Sequence, residues 1–269
     1  MYILKSVKLA ITGALVLFVS GILAISGYAA IPSGSVVGAW LLESIDGGMV
    51  ADGTGNGHDG AVSGATVVAG KFGQALSFDG SDDVVDCGND DALNLGVFTV
   101  TFWASISATQ GWNHMISKGD HVGSGTPGSV NWGVMMRSGE ARFLYEAFED
   151  VKWTGISAPE VPLNEWQHLA ATYDGDTIEF FLNGESLGAT AGIVMKLDAS
   201  RSFLIGARSS SGGGASFFNG AIDDVGLFNT VLSVEDIQDI MSNGLLAVGA
   251  AVSPADKFAT TWARIKDQH

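Results

Sequence analysis

Runs of β-branched and aromatic residues that stop at Asp-Gly or Asn-Gly constrain this chain more than any other feature. Trp166 to Tyr173 ends at Asp174-Gly175, Thr177 to Leu182 ends at Asn183-Gly184, and Phe217-Phe218-Asn219-Gly220 opens onto Ile222 to Phe228. Such steps accept positive φ and return the chain antiparallel to itself. They predict an all-β fold of two packed antiparallel sheets. The 37 glycines among 269 residues suit many tight turns and lack the strict period of a fibrous repeat. No Pro-rich or Ser/Thr-rich linker divides the middle, so one large sandwich is expected rather than two small domains.

The strand pattern is clearest where Phe98, Val100, Phe102, Ala104 and Ile106 alternate with Thr99, Thr101, Trp103 and Ser105. A period of two places the first set on one core face and leaves Trp103 to cover the other. Val36 to Leu42 reads as a first strand, and Gln74 to Phe78 with Asp83 to Cys87 as a hairpin about Asp79-Gly80. Met115 to Ser117, Trp132 to Met136, Ala141 to Phe148 and Arg201 to Gly206 read as further strands. Lys118 to Asn131 reads as a long loop and Ser209 to Gly214 as a flexible run. One short helix is expected after the last strand: Ser233 and Asp236 form a capping-box-like start, Val234, Ile237, Ile240 and Met241 an apolar stripe, and Asn243-Gly244 an end. Phe258 to Lys266 could form a second small helix.

Residues 1–30 have a different character. Lys5 and Lys8 precede an uncharged run from Leu9, and Gly27-Tyr28-Ala29 places small residues where a signal peptidase reads. This layout predicts a secretory leader cut after Ala29. The run to Ile31 is also long enough for a retained membrane anchor. The expected organisation is therefore a leader or anchor at 1–30, a β domain at 31–244, and a tail at 245–269 that packs on the domain or on a partner.

Removing residues 1–29 takes away two lysines and no acid, which moves the formal charge from -16 to -18. Such a surface argues against nucleic acid and anionic lipid as partners, while calcium and neutral glycans remain compatible. Membrane association is expected only if residues 1–30 are retained. Cys87 is the single cysteine, so stability has to come from the core or from a bound metal.

Three ordered blocks resemble the laminin-G-like, concanavalin A-like jelly-roll family. Gly70-Lys71-Phe72-Gly73-Gln74-Ala75-Leu76-Ser77-Phe78-Asp79-Gly80-Ser81-Asp82-Asp83-Val84-Val85 is similar to its early signature. Trp166 to Gly175, followed by Phe181-Leu182-Asn183-Gly184-Glu185, resembles its central hairpin. Phe218 to Asn229, with Leu232-Ser233 and Asp236-Ile237, resembles its closing strand and helix. The resemblance implies a two-sheet jelly roll and embraces glycan binders, adhesion modules and accessory domains of enzymes. The tail from Val252 to Lys266 is similar to the ends of small secreted single-domain proteins of sponge-associated bacteria, which implies a small exported protein at the cell surface or beyond it.

Calcium takes six to eight oxygen ligands. In related jelly rolls the ends of the first and last strands lie close together and often hold it. Glu43, Asp52, Asn56, Asp223 and Asp224 are the expected ligands of a structural calcium. Asp79, Asp174, Asn183 and Asn219 read as turn formers. Asp223 and Asp224 should point to opposite faces of one strand, and the pattern alone leaves open which is buried. Trp112, Trp132 and Trp153 are the candidate ligand-binding aromatics, set near loops or strand ends, while Trp40, Trp103 and Trp166 read as packing residues.

Catalysis finds little support. No strand carries a dense Glu-x-Asp pair, His58, His114, His121 and His168 lack a metal-binding spacing, and Cys87 has no base near it in sequence. The expected function is a non-catalytic exported module that recognises glycans or cell-surface proteins. The alternative is a structural protein that uses the jelly roll as a scaffold for a homo-oligomer or surface assembly.

Overall fold

The computed structural model describes residues 31–32, 34–108, 112–119, 130–137, 140–147, 150–154, 161–195, 197–208 and 216–252. The leader or anchor at 1–30, the centre of the loop after Lys118, the run Ser209 to Gly214 and the helix at Phe258 to Lys266 lie outside the described residues. The first strands are β1 (Val36–Trp40), β2 (Met49–Val50), β3 (Gly60–Ser63), β4 (Thr66–Ala69), β5 (Gln74–Asp79) and β6 (Val84–Asp86). A 3-10 turn at Asp91–Leu93 precedes β7 (Phe98–Ile106), β8 (Trp112–Gly119), β9 (Val130–Arg137), β10 (Glu140–Ala147) and β11 (Asp150–Thr154). Then follow β12 (Trp166–Tyr173), β13 (Ile178–Leu182), β14 (Glu185–Thr190), β15 (Phe203–Ile205), β16 (Asn219–Phe228) and the helix α1 (Val234–Val252).

These strands form the expected two-sheet antiparallel sandwich. One sheet runs β14-β13-β12-β7-β16-β5-β4, with β1 also on β16; the other runs β11-β10-β9-β8-β15-β6-β3-β2. The alternating residues of β7, Leu169, Ala171 and Tyr173 of β12, and Ile178 and Phe180 of β13 meet the second sheet in one core. An aromatic seam crosses between the sheets: Trp40 stacks on Phe203 at 4.9 Å, Phe203 meets Trp132 edge-on at 6.0 Å, and Trp132 stacks on Phe98 at 4.5 Å.

The turn-forming steps divide in two groups. Asp174-Gly175 and Asn183-Gly184 do close hairpins, the latter with both residues at positive φ, 51° and 77°. Asn219-Gly220 does not: both residues lie inside β16, where a Cβ on Gly220 would sit 2.2 Å from the Ser105 carbonyl. The hairpin expected about Asp79-Gly80 is also absent. β5 pairs with β4 and β16 in one sheet, whereas β6 pairs with β15 and β3 in the other. Asp83 explains the difference, because its carboxylate accepts the Asp79 N–H at 2.8 Å and builds a corner that passes between sheets.

The helix starts as its sequence predicts, with the Ser233 hydroxyl accepting the Asp236 N–H at 3.1 Å and Asp236 accepting from Ser233 in return. Gly244, at φ 80° and ψ 159°, breaks it, and a second helical segment follows. Ile237, Ile240 and Leu245 pack on Ala170, Phe181 and Phe228, which covers part of the outer face of the first sheet. Among the described residues no helix is long and apolar enough to cross a membrane.

Candidate functional site

The five expected calcium ligands fall into two places with different tasks. The glycine-rich loop after β2 lies along β1, and Asp52 organises it. Its carboxylate accepts the N–H groups of Ala39 (3.1 Å), Thr54 (3.0 Å) and His58 (3.3 Å), and both of its oxygens accept the Thr54 hydroxyl. Asn56 donates its amide to the Val37 carbonyl at 3.0 Å. Among the described residues β1 has one strand neighbour, β16, so these bonds cap backbone groups that an edge strand would otherwise leave to solvent. Asp52 and Asn56 thus hold a strand edge.

Glu43, Asp223 and Asp224 meet at a strand junction. β16 pairs with β5 through Ile222 and with β1 from Val225, and the changeover falls on the two aspartates. There the pairing with β7 shifts register, and Asp224 takes a left-handed φ of 49°. A bulge of this kind frees backbone groups and re-aims side chains. Asp223 Oδ2 accepts the N–H groups of Lys71 (2.8 Å) and Phe72 (2.9 Å), Asp224 Oδ2 accepts that of Leu245 (3.0 Å), and Glu43 Oε2 accepts that of Gln74 (2.9 Å). Both aspartates are buried, which answers the question the alternation left open. Burial pushes Asp223 up to about 7 and Asp224 up to about 6, the charge of Asp224 adding to the first shift and that of Glu43 to the second. Burial also raises Glu43.

Only one group of three acids among the described residues brings its ligand atoms within 4.8 Å of one another: Asp79, Asp82 and Asp83, at the corner between the sheets. Asp79 also accepts the Ser81 N–H at 2.7 Å, in keeping with its expected turn-forming role. Burial, followed by the charges of Asp79 and Asp82, holds Asp83 above the ordinary carboxylate range. Oxygen ligands at this spacing match the donor chemistry of a hard cation.

Of the aromatic candidates, Trp132 is a core residue, 2% exposed at the centre of the inter-sheet seam, and presents no face to a ligand. Its strand alternation with Val134 and Met136 carried that information. Trp112 opens β8 and Trp153 lies in β11; their side chains lie outside the described residues.

A cleft of about 510 Å³ opens where the loop at Gly57–Asp59, the rim of β3 and the loop at Asp86–Asp90 meet. This falls in the usual size range of small-molecule sites. Three aspartates line it, each fixed by one backbone bond: Asp59 Oδ1 accepts the Asp52 N–H (2.8 Å), Asp86 Oδ1 that of Gly88 (2.9 Å) and Asp90 Oδ1 that of Ala92 (2.8 Å). His58 is buried, with Nδ1 3.1 Å from the Val37 carbonyl and Nε2 3.8 Å from Asp90 Oδ1. Cys87 forms part of the wall. Burial first, then Asp86, Asp52 and Asp59, push its thiol well above the ordinary value, so it is a poor nucleophile. Lys118, which pairs with Trp132 and Phe203, donates its ammonium to the Arg201 carbonyl, and burial lowers it to about 8. Asp86, Asn89 and Asp90 are not among the candidates that the sequence marks. The signal available was the Gly-Asn-Asp-Asp run directly after a short strand.

No curated protein matches the chain. Solved structures do match in fold. The Trypanosoma rangeli sialidase in complex with sialic acid aligns with a TM-score of 0.60 at 20% identity, over 79% of this chain and 33% of that one. Domain 4 of AbnA, a GH43 extracellular arabinanase from Geobacillus stearothermophilus, in complex with arabinotriose, aligns with a TM-score of 0.62 at 16% identity, over 78% of this chain and 99% of that one. The binding domain of Paraclostridial Mosquitocidal Protein 1 aligns with a TM-score of 0.59 at 12% identity, over 77% of this chain and 52% of that one. The chain spans about a third of the sialidase, and at these identities the likeness concerns fold alone. A family model described as the concanavalin A-like lectin/glucanases superfamily matches residues 78–238, more than half of the sequence. The chain therefore belongs to the concanavalin A-like lectin/glucanase superfamily, in its laminin-G-like branch.

Proposed function

We propose that this protein is an exported, non-catalytic binding module that recognises glycans through the cleft at His58, Asp86 and Asp90. The observation that carries the reading is that cleft: a loop-built hollow of about 510 Å³ whose carboxylates are held in place by their own backbone. Fixed acceptors next to an apolar wall suit a sugar, which offers hydroxyl donors on its rim and C–H groups on its face. The arabinotriose complex of the AbnA domain adds a precedent for a sugar on a domain of this fold. The protonated thiol of Cys87 leaves the cleft without a nucleophile of that kind, in keeping with binding rather than turnover. Export rests on the leader-like residues 1–30.

Calcium enters this reading as a stabiliser. The corner at Asp79, Asp82 and Asp83 has the oxygen spacing for it, and a cation there would relieve the mutual repulsion of the three acids. Melting with calcium and with chelator tests it: a higher melting temperature with calcium supports the site, and identical curves with no bound metal remove it. The scaffold reading has one observation in its favour, the exposed Val97, Val194 and Leu197 on loops next to β7 and β14, and it predicts a concentration-dependent oligomer. Titration of neutral, amino and acidic oligosaccharides into the protein by calorimetry tests the main proposal. Binding that weakens in cleft variants supports it, and no binding to any of the three classes overturns it.

A further inference from the structure

The cleft lacks a donor between two acceptors. A carbonyl oxygen can only accept, so a hydrogen of His58 sits on Nδ1, which faces the Val37 carbonyl at 3.1 Å and Asp52 Oδ2 at 3.6 Å, and a ring with that one hydrogen carries its lone pair on Nε2. That lone pair looks across 3.8 Å at Asp90 Oδ1, beyond hydrogen-bond reach. Two acceptors facing each other at this distance repel unless something that donates lies against both.

The rest of the cleft repeats the imbalance. The second oxygens of Asp59 and Asp86 have no hydrogen-bond partner among the described residues, and no lysine or arginine is among the described residues that line the cleft. Lys118, whose ammonium feels the charge of Asp86, is buried and directs that ammonium at the Arg201 carbonyl. An anionic sugar entering here would meet the carboxylates of Asp59, Asp86 and Asp90, with no lysine or arginine among the described lining residues to offset them. A neutral sugar would find acceptors for its hydroxyls but would leave their charge unbalanced. An ammonium group supplies three donors and a positive charge together.

We propose that the cleft selects glycans bearing a free amine, with the ammonium of a glucosamine-type unit placed among His58 Nε2, Asp90 and Asp86. The proposal rests on the reading of the cleft as a glycan site and names its ligand class. Met49 and Ala61 form an apolar wall for the C–H face of the ring, which favours a pyranose over the flexible side chain of a lysine peptide.

Calorimetric titration of the full chain at fixed salt tests this with three probes: a fully deacetylated chitotetraose, its N-acetylated counterpart and a tetralysine peptide. The amine form should bind at least about tenfold more tightly than the acetylated form, because a charge-assisted bond is lost on acetylation. The double variant Asp86→Asn/Asp90→Asn should lose at least about tenfold for the amine form. An asparagine keeps the oxygen that accepts from Gly88 or Ala92, and an unchanged unfolding midpoint shows that the variant is folded. Equal or tighter binding of the acetylated form overturns the amine preference and leaves the glycan reading standing. Tetralysine binding as tightly as the amino sugar, or binding indifferent to the double variant, overturns it as non-specific attraction to an acidic surface. Binding of none of the three, with no other oligosaccharide bound, removes both readings.

Discussion

The strand junction at Asp223-Asp224 and the cleft at Asp86 and Asp90 are both built from aspartates, yet the backbone uses them differently. At the junction β16 changes partner from β5 to β1, and the acids are buried to satisfy N–H groups from the β4–β5 turn and from the second segment of α1. At the cleft each acid ties down its own loop with one oxygen and leaves the other at the rim. A carboxylate in the first setting is part of the fold and is costly to charge. One in the second is positioned without being consumed. In a chain this acidic, the acids with the strongest shifts are the ones the fold itself uses, whereas those anchored to their own loops keep an oxygen for what lies outside.

The largest expected effect lies where the two sheets meet. Trp132→Ala should cost about 3–5 kcal/mol in a denaturant titration, because it empties the centre of the aromatic seam. A loss below about 1 kcal/mol would place Trp132 outside the core. At the junction, Asp223→Ala should cost about 2–4 kcal/mol by stranding the Lys71 and Phe72 N–H groups. Asp223→Asn, which keeps an acceptor and removes a buried charge, should be neutral or stabilising at pH 8. If the two substitutions behave alike, the backbone bonds are not what Asp223 contributes.

The same pair predicts a pH dependence. Both acids are raised in the folded protein, to about 7 and about 6, so the fold holds their protons more tightly than the unfolded chain does. Their contribution is complete below the unfolded value near 4 and is lost as pH rises through 6 and 7. Stability should therefore increase on acidification from pH 8 to pH 5, by an amount on the order of 3 kcal/mol. The variant Asp223→Asn/Asp224→Asn should flatten that slope. An equally steep profile in the variant would assign the protons elsewhere.

A smaller effect is expected at Gly244. Its φ of 80° favours glycine, and a Cβ there would come within 3.0 Å of Asp224 Oδ2. Gly244→Ala should cost about 1 kcal/mol or somewhat more. A neutral result would show that the helix break is not required at that residue.

Much of the fold could be read from the residues because period and turn chemistry act locally. β7, β12, β13 and the capped start of α1 follow directly from alternation, from Asp174-Gly175 and Asn183-Gly184, and from Ser233 with Asp236. What alternation does not encode is which sheet a strand joins, so the corner at Asp79 to Asp83 reads as a hairpin until the Asp83 side chain is seen to take the Asp79 N–H. The Asn219-Gly220 step misleads for a related reason. Its glycine answers to the nearby Ser105 carbonyl rather than to a turn. The cleft was the least legible part, because β3, β4 and β5 lie between Asp59 and the segment Asp86 to Asp90, which meet only when β3 pairs with β6. Trp132 shows the opposite limit, since a tryptophan beside a loop in sequence can still be central to the core.

Thermal melting at pH 7 with and without deacetylated chitotetraose, performed on the parent chain and on the two double Asn variants, separates the two regions in one measurement. The sugar should raise the melting temperature of the parent and of Asp223→Asn/Asp224→Asn, while Asp86→Asn/Asp90→Asn should melt like the parent and not respond to it. A response kept in the cleft variant, or lost in the junction variant while its fold is intact, would contradict the division between acids that build the sandwich and acids that meet a ligand.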